Sequence, residues 1–269
     1  MRSLKNRVAV VTGAASGIGR ATSALLAKKG CDLALADVNE KGLAETAKLV
    51  EAAGRKASIH IANVADRARM EKLPGEVLAA HSHIHIVINN AGVSVTAPLE
   101  EHTLDDFEWI VGINFWGVVY GCKFFLPHLK REDEGHFVNI SSVFGLIGLP
   151  TQSSYCATKF AVRGFSESLL AELKDTRVGV SCVHPGGINT NIVKSSRTYD
   201  DRLKARAIQM FERRTLAPEE AARQIVEGIL KNKPRVLITR ETYVIDGLKR
   251  LAPVLSSRLF TRLQERMGV

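Results

Sequence analysis

Cysteine is sparse, aromatic residues make up only 6% of the chain, and no long apolar run interrupts it. The four cysteines, Cys31, Cys122, Cys156 and Cys182, show neither a CxxC pair nor metal-ligand spacing. That excludes a disulfide framework and a zinc site, and leaves buried free thiols in a reduced, cytoplasmic compartment as the expectation. No stretch of about 20 uncharged apolar residues occurs, so no membrane-spanning helix is expected. Met1 to Arg7 leads straight into Val8-Ala9-Val10-Val11, too short for a signal-peptide core, and no small-residue cleavage site follows. Zinc-finger spacing, RNA-binding aromatics and a basic zipper are missing too. The net charge of +9 therefore does not call for nucleic acid, and none is expected as a partner.

What is present is an ordinary globular mixture over 269 residues, 45% hydrophobic and 24% charged, which suits a single α/β domain. Short apolar runs at 7–12, 31–37, 57–62, 84–89, 136–141, 178–184 and 235–239 read as strands. Segments of helical periodicity at 17–29, 40–53, 66–80, 103–128, 153–175 and 218–231 lie between them. Continuous runs such as Ile84-His85-Ile86-Val87-Ile88 suit strands buried on both faces. Strand and helix in alternation predict a doubly wound, Rossmann-like parallel sheet of about seven strands with helices on both faces. Residues 1–240 form that domain. It includes a polar, basic insertion at about 188–214, placed where a lid over a site is expected. Residues 241–269 read as a basic amphipathic helical extension, with Val244, Leu248, Leu251, Leu255, Leu259 and Leu263 on one face. Its three open readings are a membrane surface, a partner subunit and its own domain.

After the first strand comes Thr12-Gly13-Ala14-Ala15-Ser16-Gly17-Ile18-Gly19, opening into a helix. Glycines there admit positive φ and close backbone approach, and the helix N-terminus attracts a pyrophosphate. The second strand ends at Asp37, where a carboxylate can accept hydrogen bonds from both ribose hydroxyls of an adenosine and repel a 2′-phosphate. Val38 and Ala15 offer nothing to neutralise such a phosphate, so NAD is favoured over NADP, with Arg20 and Lys41 as the contrary signals. Tyr155 and Lys159 stand at i and i+4 on one face of a helix. A nearby ammonium brings a phenol down from its ordinary value near 10 towards use as a base. Ser142 follows the strand at 136–141 and can hydrogen-bond a substrate oxygen. Taken alone, this pair has a bland reading as unrelated surface residues.

In order along the chain stand Thr12 to Gly19, Asn89-Asn90-Ala91-Gly92, Asn114, Asn139-Ile140-Ser141-Ser142, Tyr155 with Lys159, and Pro185-Gly186. Together they resemble the short-chain dehydrogenase/reductase family over about residues 4–239. The resemblance implies an NAD(P)-dependent oxidoreductase passing a hydride between nicotinamide and a secondary alcohol or ketone. It makes Tyr155 the general acid/base and Lys159 the group that binds the nicotinamide ribose and lowers the tyrosine pKa. It has Ser142 polarise the substrate oxygen and Asn114 hold a water against Lys159. The cofactor set it implies is Gly13, Ser16, Gly17, Ile18, Gly19, Asp37, Asn63, Val64, Asn90, Ala91, Gly92, Tyr155, Lys159, Pro185, Gly186, Ile188 and Thr190. Two departures stand out. Asn63-Val64 replaces the usual Asp-Val pair, and the chain runs on past the last strand, like members acting on lipophilic alcohols. A lipophilic substrate is therefore expected, and because the long helices at 103–128 and 153–175 resemble those that join family subunits, so is a homodimer or homotetramer. The alternatives are an NADP-dependent 3-oxoacyl reductase, or a non-catalytic, cofactor-sensing scaffold docked through its tail. His81, His83 and His85 alternate at the start of a strand, but without accompanying acids or cysteines they do not read as metal ligands. Cys156 beside Tyr155 reads as packing. Phe144, Leu146, Ile147 and Leu149 are expected to wall the substrate pocket.

Overall fold

A computed structural model describes residues 1–200, 205, 208 and 216–256. Seven parallel strands form the main sheet: β1 (Val8–Thr12), β2 (Asp32–Asp37), β3 (Ala57–Ile61), β4 (Ile86–Asn89), β6 (Gly135–Ile140), β7 (Val178–Pro185) and β9 (Arg235–Ile238). Their order across the sheet is β3-β2-β1-β4-β6-β7-β9, so the chain reverses direction beside β1 and β4. Ligands bind at such a reversal, beyond the carboxyl ends of the strands. Each expected strand lies within two residues of its observed bounds.

Strand periodicity sorts the side chains into two layers. Ala9, Val11, Leu33, Leu35, Ile86 and Ile88 face one apolar cluster, which α1 (Gly17–Lys28) and α2 (Glu40–Ala52) complete. Val10, Ala34, Ala36 and Val87 face the other, against α3 (Arg67–His81). Each fully buried Leu or Ile stabilises the fold by about 2 kcal/mol in transfer terms. Side-chain caps start several helices: Asn39 accepts from the Gly42 amide at 3.0 Å, Asp66 from Arg69 at 3.1 Å, and Thr103 from Asp106 at 3.2 Å. In the same layer as α1 and α2, α7 (Pro218–Leu230) lies against α1.

Three expectations need correction. The helix expected at 103–128 is α4 (Leu104–Val111), a π-turn (Gly112–Trp116) and α5 (Gly117–Leu129). These form one continuous run of 26 residues whose length and mean hydropathy, 1.4 over its most apolar stretch, reach the measure of a membrane-crossing helix, contrary to the sequence expectation. Its buried residues include Asn114, Val118, Cys122 and Phe125, the marks of a core helix against the sheet. The second correction concerns the tail. Its helix, α8, covers Arg240–Leu251 and breaks before Pro253, which cannot continue the hydrogen-bond ladder. Leu259 and Leu263 lie outside the described residues. The third is the insertion at 188–214. Its start forms β8 (Arg197–Thr198), paired with β5 (Val95–Thr96), two short strands the sequence pattern did not reveal. Residues 201–204, 206–207 and 209–215 lie outside the described residues.

Candidate active site

β1 ends at Thr12, whose hydroxyl accepts from the amides of Asn90 and Ala91 at 3.0 and 3.1 Å. The Asn90 side chain donates back to the carbonyls of Thr12 (2.9 Å) and Gly13 (3.2 Å). The end of β4 is thus stapled to the glycine turn, a role for Thr12 that sequence reasoning missed. Gly13 has φ +65°, and a Cβ there would lie 2.8 Å from the Ala91 Cα. A Cβ on Gly19 would lie 2.1 Å from the Gly13 carbonyl oxygen, and one on Gly17 (φ +52°) 3.1 Å from Thr190. Ser16 starts α1 without a side-chain cap, and no acid stands in the first turn. Ile18 follows within that turn. The helix leaves its N–H groups to an outside anion, which fits a dinucleotide pyrophosphate.

Asp37 closes this end. Its carboxylate accepts from the amides of Ala15 at 3.1 Å and Asn39 at 3.0 Å, and so borders the turn. Arg20, one contrary signal for NADP, is committed elsewhere: it donates to Glu45 at 2.8 Å, Thr46 at 3.2 Å and the Ala15 and Gly42 carbonyls. The Asn63 amide oxygen, expected to meet an adenine amino group, accepts from the Ala65 amide at 3.0 Å. Its second lone pair remains for that contact. Val64 is core, and a Cβ on Gly117 would lie 2.7 Å from its side chain, so this pair sets how closely α5 approaches.

At the other end, β6 runs into Ser142, whose hydroxyl accepts from the Phe144 amide at 3.1 Å and starts a short 3-10 turn, Val143–Gly145. Helix α6 (Ser153–Glu172) carries Tyr155 and Lys159 one turn apart. Both are buried. The Lys159 ammonium lies 5.5 Å from the centre of the Tyr155 ring and donates to the Ile140 carbonyl at 3.0 Å. The Ser142 hydroxyl lies near the Tyr155 phenol. His184, buried in β7, donates from Nδ1 to the Ser142 carbonyl at 3.1 Å. A Cβ on Gly92 would stand 3.5 Å from Lys159 Nζ and 3.3 Å from Asn114 Oδ1, so these three residues meet.

This arrangement gathers the glycine turn and the Ser-Tyr-Lys set beyond the carboxyl ends of neighbouring central strands. Residues 7–201 match the family model described as short chain dehydrogenase. The chain is a short-chain dehydrogenase/reductase.

Among the relatives of this dehydrogenase is a Mycobacterium tuberculosis protein named as an oxidoreductase, SadH, 42% identical over 255 residues. The alignment covers 93% of this chain and 92% of SadH. Estradiol 17-beta-dehydrogenase 11 of Pongo abelii is 30% identical over 271 residues, covering 100% of this chain and 85% of its own. A solved family structure from Burkholderia phymatum, in complex with NAD, superposes with a TM-score of 0.86 at 30% identity. It covers 93% of this chain and 95% of that one.

The electrostatics of the dehydrogenase site depart from the sequence expectation. Burial pushes the Tyr155 phenol up to about 12, with the nearby Ser142 hydroxyl pulling the other way. Burial also pulls Lys159 down to about 8. When buried, each group favours its neutral form, and the Lys159 amine lies over the ring while bonded to a carbonyl. Asn114 is buried, and its side chain bonds both backbone groups of Val93, at 2.8 and 2.9 Å, which fixes it beside Gly92 and Lys159.

The pocket wall is partly as expected. Phe144 meets the Tyr155 ring edge-on at 6.0 Å, but Leu146 and Ile147 turn into the core. Ile110 and Val95 pack with Tyr155, flanked by Val93, Trp109, Phe144 and Ile192, an apolar surface drawn from segments distant in sequence. Arg197 covers this surface. Its guanidinium lies 3.6 Å from the centre of the Trp109 ring and pairs with Asp106, which also accepts from the Tyr199 hydroxyl. Pro185 ends β7, Ile188 is buried, and Gly186 presses against the start of α8, where a Cβ would lie 2.1 Å from Thr239 Oγ1.

His83, His85 and Glu132 do converge. Yet His85 Nδ1 accepts the Val8 amide at 3.1 Å, so its proton sits on Nε2, facing Glu132 at 3.4 Å. A ring nitrogen carrying that proton cannot ligate a metal. All four cysteines are buried, and burial raises the Cys156 pKa, which fits packing rather than attack.

Proposed function

We propose that this dehydrogenase transfers a hydride between NAD and a lipophilic secondary alcohol or its ketone, with Tyr155 as general acid/base. The observation that carries the reading is the convergence of Tyr155, Ser142 and Lys159 in one buried pocket beside an apolar wall. When bound, NAD supplies hydride exchange at the nicotinamide and, in its oxidised form, a positive charge. Gly13, Gly17 and Gly19 let the turn pack closely, so that the uncapped start of α1 can hold the diphosphate, and Asp37 selects the unphosphorylated ribose. Ser142 holds the substrate oxygen, and His184 steadies Ser142. Tyr155 takes the alcohol proton in oxidation and returns it in reduction. Lys159 binds the nicotinamide ribose and favours the phenolate when it carries its own proton. Asp37 argues against the NADP-dependent 3-oxoacyl reaction, and the assembled Tyr155–Lys159 pair against a non-catalytic scaffold.

The same reading makes the enzyme a cytoplasmic homodimer or homotetramer joined through α5 and α6. Its support is the aromatic ladder Trp116–Tyr120–Phe124, stacked at 5.6 and 5.9 Å, with Trp116 and Phe160 exposed. The test is turnover with NAD across a panel of long-chain and cyclic secondary alcohols. Tyr155→Phe should lower kcat/KM by about a thousandfold, within the usual range for a lost general acid/base, and leave NADH affinity within a few-fold. Wild-type protein that binds NADH but turns over nothing in the panel would sink the proposal.

A further inference from the structure

The helix α8 is docked the wrong way round for an ordinary amphipathic helix. Thr242 is fully buried, with Oγ1 at 3.0 Å from Thr239 Oγ1. Asp246 takes both guanidinium nitrogens of Arg235 at 2.8 and 2.5 Å. The polar side thus faces the domain, while Val244 (60% exposed), Leu248, Leu251 (87%) and, past the break at Pro253, Leu255 (69%) point outward. Val244, Leu248 and Leu251, four and three residues apart, make one stripe along α8, and Leu255 adds an exposed apolar side chain just past its end. Tyr243 is exposed beside it, and Arg240, Lys249 and Arg250 stand along the same helix. The sequence then continues with Arg258, Arg262 and Arg266.

We propose that this stripe is a docking surface for an anionic lipid bilayer. An aliphatic stripe bordered by basic residues and an aromatic ring is the chemistry of a helix lying in a headgroup layer. Four side chains on and just beyond one short helix fall well short of the ~800 Å² each partner commonly buries in a subunit interface. The position has a further consequence, which rests on the lipophilic-substrate reading. The Gly187 amide donates to Glu241 at 3.4 Å, so α8 begins against the Pro185-Gly186 turn beside the catalytic pocket. A docked helix would hold that pocket close to a membrane-dissolved alcohol.

The test is co-sedimentation of the full chain with phosphatidylcholine vesicles, with and without about one-third phosphatidylglycerol. Wild type should pellet with the anionic vesicles, less at high salt, and weakly with neutral ones. Leu251→Asp/Leu255→Asp should partition at least tenfold less, and Val244→Asp should follow it, with thermal melts confirming that both fold. Wild type remaining in the supernatant, or variants pelleting like wild type, would overturn the proposal. So would variants of smaller assembly size in sedimentation velocity, which would make the stripe a contact between copies. Turnover is read separately on a water-soluble ketone, so a failed function and a failed surface are distinguishable.

Discussion

Replacing Asp37 by asparagine keeps the side chain's volume and removes its charge and one acceptor oxygen. In the proposed complex the carboxylate accepts two ribose hydroxyls. Charge-assisted hydrogen bonds contribute about 1.5–3 kcal/mol each, roughly twice the neutral kind. Reducing both to neutral strength costs about 1.5–3 kcal/mol, or roughly ten- to hundredfold in NADH affinity. For NADPH the change works the other way. A doubly charged phosphate about 5 Å from the carboxylate is repelled by about 2 kcal/mol even in a water-like dielectric. The ratio of NADPH to NADH affinity should therefore rise at least ~100-fold, read by fluorescence titration of both reduced cofactors against wild type and Asp37→Asn. The structure also supplies the competing outcome. Asp37 braces the Ala15 and Asn39 amides, at 3.1 and 3.0 Å. If both cofactors weaken by the same factor, the carboxylate only holds the turn, and the selectivity argument is refuted.

Two further tests address acid stability and the pocket cover. The Ser181 hydroxyl donates to the Lys233 carbonyl at 2.6 Å, so the 2.9 Å bond to His136 must come from a neutral Nε2–H. Burial pulls His136 down to about 3, so the unfolded chain takes up the proton first as pH falls. That contribution to stability is complete above the unfolded value of about 6.5 and drains away towards the folded one, about 2 kcal/mol of it by pH ~5. Urea unfolding near pH 7 and near pH 5 should show a difference about 2 kcal/mol smaller in His136→Gln, and an unchanged difference would contradict the buried neutral imidazole. Asp106→Asn should release Arg197 and Tyr199 and raise KM for an apolar substrate about tenfold, the worth of a partly buried ion pair, with kcat and NADH affinity nearly constant. An unchanged KM would mean that the β5–β8 strap does not shape the pocket.

The sheet was legible because parallel strands buried on both faces write themselves as unbroken apolar runs, as in Val8 to Val11. The glycine turn, Asp37 and the Tyr155–Lys159 pair were legible because their spacing is local and their chemistry narrow. What escaped was non-local. The Thr12 staple depends on a hydroxyl meeting two amides nearly 80 residues away. The strap from Asp106 to Arg197 joins segments about 90 residues apart, and two-residue strands leave no periodicity to find. Electrostatics escaped for another reason. One turn of helix brings Lys159 near Tyr155, but only the surrounding packing decides that burial outweighs the attraction. The direction in which α8 faces was hidden in the same way, because helical spacing defines a stripe without saying which side the Arg235–Asp246 pair holds down.

The π-turn at Gly112–Trp116 carries a consequence for how this helix can change. One extra residue in a helical turn advances everything beyond it by about 100°. Removing a single residue there would restore a regular helix and swing Trp116, Tyr120 and Phe124 round its axis, taking the aromatic ladder off its present side and Cys122 out of the core. Keeping α5 in place through such a deletion would shift Asp106 and Ile110 instead, pulling the strap and the pocket wall from Tyr155. Substitutions along this run are local events, but a change in its length is a change of phase. It is felt at the exposed aromatic ladder and at the wall around Tyr155 together, so the two can drift in composition but not in register.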